Sequence, residues 1–103
     1  MDFEKPSTKG FTVYSKSGCP NCSLVKKLLK DKNLIFNVID CDEYLIEDKV
    51  NFLLFIKNLT QRDIKQFPII FYQGTIVGGY NEVKLFVDKL FLSFDDNFGF
   101  CTF

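Results

Sequence analysis

Apolar positions change their spacing several times along the chain, and each change predicts an element. Residues 11–15 (Phe-Thr-Val-Tyr-Ser) alternate and are rich in aromatic and β-branched types, which predicts a strand. From about Ser23 the apolar residues Leu24, Val25, Leu28 and Leu29 recur at helical spacing, with Lys26, Lys27 and Lys30 on the other face. That helix is expected to end at Asp31 to Asn33, followed by a well-buried strand over Leu34 to Ile39. A strand, a helix and a strand in this order predict a βαβ unit with parallel strands. A second helix is expected from about Glu43 to Leu59 on Leu45, Ile46, Val50, Leu53, Leu54 and Ile56, with Phe52 and Phe55 near its flanks.

Thr60 to Gln66 is polar and reads as a loop. Phe67 to Tyr72 and Thr75 to Val77 are short apolar runs joined by Gln73-Gly74, a tight hairpin signal. After Gly78-Gly79 a third helix is expected over Asn81 to Leu92, with Val83, Phe86, Val87 and Leu90 on one face. The order is β-α-β-α-β-β-α, an α/β arrangement with a four-stranded mixed sheet flanked by helices. The tail, residues 93–103, carries Phe94, Phe98, Phe100 and Phe103, and so many apolar rings are expected to pack back on the domain or to meet a partner.

A chain of 103 residues, 47% of them apolar, has room for one core, so a single domain is expected over residues 1–103, with its core at about 11–92. Thirteen basic residues balance thirteen acidic ones, and no basic block is interleaved with aromatics, which argues against nucleic-acid binding. The N-terminus is charged and lacks the apolar stretch of a secretory signal, and no apolar run reaches the roughly 20 residues of a membrane span. A soluble protein of a reducing compartment, the cytoplasm, is the expectation.

The candidate chemistry lies in Cys19-Pro20-Asn21-Cys22, between the first strand and the first helix. Cysteines three apart at the start of a helix occupy neighbouring corners of its first turn and can close a small disulfide ring. Cys19 is the expected nucleophile. It precedes Pro20, which suits the first helical turn because no N–H is needed there, and its sulfur would face the positive end of the helix, where a thiolate is favoured. Cys22, one turn inward, would be the resolving thiol. Lys16 offers a second cation, or is an ordinary solvated lysine at a strand end. The chain has no histidine, which excludes a Cys-His protease pair. A zinc site would need Cys41 and Cys101 as further ligands, but neither belongs to a second Cys-x-x-Cys, so no metal is expected. Cys41 reads as a small buried apolar residue; Cys101 reads as an incidental tail thiol or one end of a regulatory disulfide. By themselves, Pro68 reads as a trans proline opening a strand and Gly78-Gly79 as a plain turn.

The element order, together with Lys16-Ser-Gly-Cys19-Pro-Asn-Cys22, Phe67-Pro68-Ile69 and Gly78-Gly79-Tyr80-Asn81-Glu82, resembles the glutaredoxins, the glutathione-dependent branch of the thioredoxin-fold proteins. The resemblance covers about Phe11 to Leu92. The glycine-glycine-aromatic variant is also similar to short redoxins of phages and large DNA viruses. The resemblance implies a thioredoxin fold and a dithiol oxidoreductase that reduces protein disulfides and glutathione mixed disulfides, with glutathione as co-substrate. Ribonucleotide reductase is a natural protein partner in that family. It also implies a cis Phe67-Pro68 bond exposing the backbone of Phe67 to glutathione, and a γ-glutamyl carboxylate held at the helix start by Gly79, Tyr80 and Asn81. Lys16, with Gln61 or Arg62, would hold the glycyl carboxylate. Three departures from the family pattern bear on glutathione affinity: Asn21 replaces an aromatic residue, Gln66-Phe67 replaces Thr-Val, and Asn81-Glu82 replaces Ser-Asp or Asp-Asp. Glu82 would repel a carboxylate if it pointed inward. A redoxin reduced by a thioredoxin reductase with little glutathione use, and a non-catalytic interaction module, remain the alternatives.

Overall fold

In the computed structural model, which describes the backbone of residues 2–102 and the side chains of residues 2–91, the sheet is built around a strand with no exposed residue. β1 (Phe11–Ser15) is buried throughout, pairs in parallel with β2 (Phe36–Asp40) and antiparallel with β3 (Ile69–Tyr72). β3 turns through Gln73 and Gly74, both at positive φ as a tight two-residue hairpin requires, into β4 (Thr75–Gly78). The sheet order is β2-β1-β3-β4, with β1 and β2 joined through α1 (Pro20–Asp31) as the βαβ reading expects.

Because side chains alternate across a strand, β1 and β3 feed two core layers. Phe11, Val13 and Ile70 face Val25 and Leu29 of α1 and Val83 and Val87 of α4 (Tyr80–Thr102). Tyr14, Ile69 and Phe71 face the opposite layer, with Phe52 and Ile56 of α3 (Lys49–Thr60) and the thiol of Cys41. The four-stranded mixed sheet between helices is the thioredoxin fold that the motifs imply.

The structure corrects three expectations. β2 is an edge strand, exposed along most of its length: Phe36 and Ile39 pack into opposite core layers while Asn37, Val38 and Asp40 face solvent. The single helix expected over 43–59 is two: α2 (Asp42–Glu47) ends at Asp48, whose φ of −153° and ψ of 55° break the helix before α3 starts. Aspartate competes for backbone hydrogen bonds and is weak in helix interiors, which suits it to this break. The break rotates the buried face, so Phe52 lies wholly inside while Ile46 and Val50 are 82% and 71% exposed. The third helix continues past Leu92 to Thr102, there being no proline in the tail to stop it. The expectations for Cys101 and the tail phenylalanines concern side chains outside those described.

The N-terminal segment also packs where the pattern predicts nothing. Phe3 sits edge-on to Tyr44 and Phe52, and the Tyr14 hydroxyl donates to the Glu4 carbonyl at 2.6 Å.

Candidate active site

Helix α1 begins at Pro20, earlier than its amphipathic stretch suggests, which makes Cys19 the capping residue and places Cys22 inside the first turn. Cys19 has extended backbone angles, and its carbonyl accepts the N–H of Ser23 at 3.3 Å. Its Sγ accepts the N–H of Cys22 at 3.2 Å, so the sulfur takes the place that a serine or aspartate oxygen holds in ordinary helix caps. The sulfur thus lies at the N-terminal end of a 12-residue helix with a backbone donor directed at it. Cys22 is 1% exposed, and its thiol is pushed up from the ordinary range by burial and by its bond to Cys19, partly offset by Ser15 and the Lys16 backbone. The two thiols are chemically unequal: one at the rim, one behind it.

The loop before Cys19 is tied down from outside. Both the N–H and the hydroxyl of Ser17 donate to the Asp42 carboxylate at the start of α2, the former at 2.8 Å. These bonds hold the Asp42 carboxyl below its usual value.

Across from Cys19 the Phe67–Pro68 bond is cis, as the motif resemblance implies and contrary to the plain strand-start reading. A cleft of about 380 Å³ lined by Lys16, Gly18, Cys19, Pro20, Asn21, Lys65, Gln66 and Phe67 adjoins a second of about 360 Å³. The second is lined by Asn21, Arg62, Ile64, Gln66, Phe67, Pro68 and Gly78 through Glu82. Asn21, Gln66 and Phe67 border both. The structure thus gathers Lys16, Cys19, Phe67, Pro68, Gly79, Tyr80 and Asn81 along one groove, with Cys22 buried behind it. Of the two alternatives for a further polar contact, Arg62 lines the groove; Gln61 instead turns back to the Asn58 carbonyl at 2.9 Å.

Lys16 is an exposed lysine whose Nζ lies 5.6 Å from the centre of the Phe67 ring. Phe67 in turn stacks on Phe52 at 6.3 Å with 13° between the rings. The aromatic residue that replaces the family's valine is therefore a bridge from the core to a cation at the groove. The motif resemblance implies a backbone role for Phe67; the ring's contacts with Phe52 and Lys16 add a side-chain role that depends on the helix break at Asp48.

Glu82 is the other residue whose role the pattern leaves open. Its Oε1 accepts the N–H of Gly79 at 2.8 Å, so the carboxylate folds onto the start of α4. Cys41 is fully buried, its thiol pushed up to about 12 by burial, and among the described residues no three His, Cys, Asp or Glu side chains are grouped to hold a metal.

A mixed four-stranded sheet with a Cys-x-x-Cys capping the helix after its first strand and a cis proline opposite defines a thioredoxin-fold dithiol protein. Within that class, the sequence pattern of the glutaredoxins matches residues 11–77, and the chain belongs to the glutaredoxin family. It is 33% identical over 67 residues to human glutaredoxin-2, mitochondrial, covering 65% of this chain and 38% of that protein. The chain spans less than half the length of the curated relatives it matches. Glutaredoxin 1 from Francisella tularensis, solved in complex with cacodylate, superposes with a TM-score of 0.66 at 26% identity, over 79% of this chain and 94% of that one. The buckwheat glutaredoxin–glutathione complex superposes with a TM-score of 0.60 at 27% identity, over 72% of this chain and 64% of that one.

Proposed function

We propose that the chain is a dithiol glutaredoxin that passes electrons from glutathione to protein disulfides and to glutathione mixed disulfides. The observation that carries this reading is the capping sulfur of Cys19, open to the groove and hydrogen-bonded by Cys22 N–H, with the buried Cys22 thiol one turn behind it.

The Cys19 thiolate attacks the sulfur of a substrate disulfide; the new bond is Cys19–S–S–R, and the partner sulfur leaves as a thiolate. For a glutathionylated substrate, attack on the glutathione sulfur leaves Cys19 glutathionylated and frees the substrate thiol. A second glutathione thiolate then attacks the glutathione sulfur of that adduct and releases glutathione disulfide. For a protein disulfide, Cys22 loses its proton to solvent and attacks Cys19 Sγ, expelling the substrate's second thiol and closing the Cys19–Cys22 disulfide. Two glutathiones reopen it.

In this reading glutathione lies along the groove, its cysteine backbone beside Phe67 at the cis bond. Its glycyl carboxylate faces Lys16 and Arg62, and its γ-glutamyl end lies toward Gly79, Tyr80 and Asn81. The buckwheat relative, solved as a glutathione complex, supports glutathione as the ligand. A coupled assay of glutathione, glutathione reductase and a glutathionylated peptide tests the proposal. Turnover that requires Cys19 is expected; a chain that reduces the peptide no faster than free glutathione does would overturn it.

A further inference from the structure

Ser15 and Cys22 meet at one end of the contact between the central strand and the first helix. Alternation along β1 turns Phe11, Val13 and Ser15 to the same side of the sheet, where Phe11 and Val13 pack against Val25 and Leu29 of α1. Cys22, three residues before Val25 and seven before Leu29, lies on that same buried face of the helix. The next pair in the row is therefore Ser15 with Cys22, and the serine hydroxyl is a hydrogen-bond partner of the Cys22 sulfur. Both residues are nearly closed to solvent, at 5% and 1% exposure.

Behind Ser15 the surface opens. A pocket of about 220 Å³ is lined by Ser15, Lys16, Ser17, Lys26, Val38 and Asp40. Asp40 stands directly opposite Ser15 in the pairing of β1 with β2. Cys19, Phe67 and Pro68 line the groove and do not border this pocket; among the described residues Lys16 alone lines both.

The resolving step has a proton to lose. When Cys22 attacks Cys19 Sγ its S–H bond must break, and at that moment the substrate occupies the groove in front of Cys19. Burial holds the thiol protonated, so the attack needs a proton acceptor close by. A hydroxyl both accepts and donates: Ser15 Oγ can take the Cys22 proton while passing its own to solvent in the pocket. The atoms balance. The Cys22–Cys19 S–S bond forms, the bond from Cys19 to the substrate sulfur breaks with its electron pair on the leaving thiolate, and one proton passes through Ser15 to solvent. Cys19 and Cys41 are the other titratable neighbours of Cys22, and Lys16, Lys26 and Asp40 are the charged side chains around the pocket.

We infer that Ser15 is a proton-relay residue for the resolving cysteine: its hydroxyl joins the buried Cys22 thiol to a pocket separate from the substrate groove, so the proton leaves by a path that bound substrate does not cover. This rests on the dithiol reading given under Proposed function.

The test mixes reduced protein carrying Cys101→Ser rapidly with one equivalent of dithiodipyridine and follows the chromophoric thione released at each exchange. Attack by Cys19 releases the first thione and attack by Cys22 on the Cys19 adduct releases the second, so one trace reports both thiols without glutathione. Ser15→Ala should leave the first phase unchanged and slow the second about tenfold to a hundredfold near neutral pH, up to the lower end of what a positioned proton-transfer group contributes. The deficit should close as pH rises and Cys22 ionises without help. Ser15→Thr, which keeps the hydroxyl, should retain the wild-type pH profile. An unchanged second phase in Ser15→Ala overturns the inference, and so does a loss that is equal at every pH, which would mean that the serine only packs. Wild-type protein that releases a single thione per chain overturns the dithiol reading and this inference together, and does so before Ser15 is altered.

Discussion

The backbone N–H of Cys22 points at the sulfur of Cys19 from 3.2 Å, so the buried cysteine stabilises the exposed one through its main chain while its own thiol is held protonated by burial. The two cysteines of one helical turn thus differ in exposure and in what their sulfurs meet.

The two thiols should therefore separate by mutation. Cys22→Ser keeps the backbone donor and is expected to retain reduction of glutathione mixed disulfides while losing reduction of protein disulfides. Cys19→Ser should lower both by at least about a hundredfold, since the nucleophile is gone. Parallel assays on a glutathionylated peptide and a disulfide-bonded protein check this, and loss of both activities in Cys22→Ser would refute the division of roles.

Cys41 should stay silent in chemistry and be felt only in alkali. Its folded value of about 12 lies above the ordinary thiol value of 9.0, so burial contributes stability that is complete below pH 9 and is lost as pH rises toward 12. Tyr14, whose phenol is also pushed up by burial, adds to the same alkaline loss. Alkylation at neutral pH followed by mass spectrometry should label Cys19 far faster than Cys41, and Cys41→Ala should flatten the alkaline limb of the stability curve.

At the acid end the sensitive contact is Ser17 with Asp42. The Asp42 carboxyl is depressed below 3.8 in the folded chain, so its contribution is present above that pH and is lost as pH falls through the lower folded value. The protection of the Ser17 amide, its exchange rate relative to the unstructured rate at the same pH, should fall over that interval in the wild type. In Asp42→Asn that protection should already be lower at neutral pH and change little further on acidification.

Lys16 and Phe67 should behave as a pair. Phe67→Val restores the family's residue but removes the ring beneath Nζ, a contact worth about 0.5–1 kcal/mol at an exposed site. Both Phe67→Val and Lys16→Ala are expected to raise KM for the glutathionylated peptide by about two- to fivefold. The double variant should then cost less than the product of the two, and full multiplicativity would show that the ring does not seat the lysine.

Local features explain how much of this was legible in the sequence. The Cys-Pro-Asn-Cys cap, the Gln73-Gly74 hairpin and the buried first strand each follow from residues within one or two turns of one another. The split at Asp48 was missed because Ile46, Val50 and Leu54 keep a helical spacing across it, although the folded chain leaves all three exposed. The carboxylate of Glu82 was recognised as a threat to anion binding, but its fold-back depends on the room left at Gly78. Phe3 lies about forty to fifty residues from the rings it meets, a distance over which periodicity carries no signal.

The stack of Phe52, Phe67 and Lys16 makes the groove sensitive to events in the protein interior. Phe52 belongs to the fully buried layer beneath the sheet, yet its ring is the floor on which Phe67 rests, and Phe67 carries the cation at the surface. A change of volume in that layer would shift the position of a surface charge with no alteration of any residue that touches the substrate. Side chains that set the packing of this core therefore also set where the Lys16 cation sits at the groove.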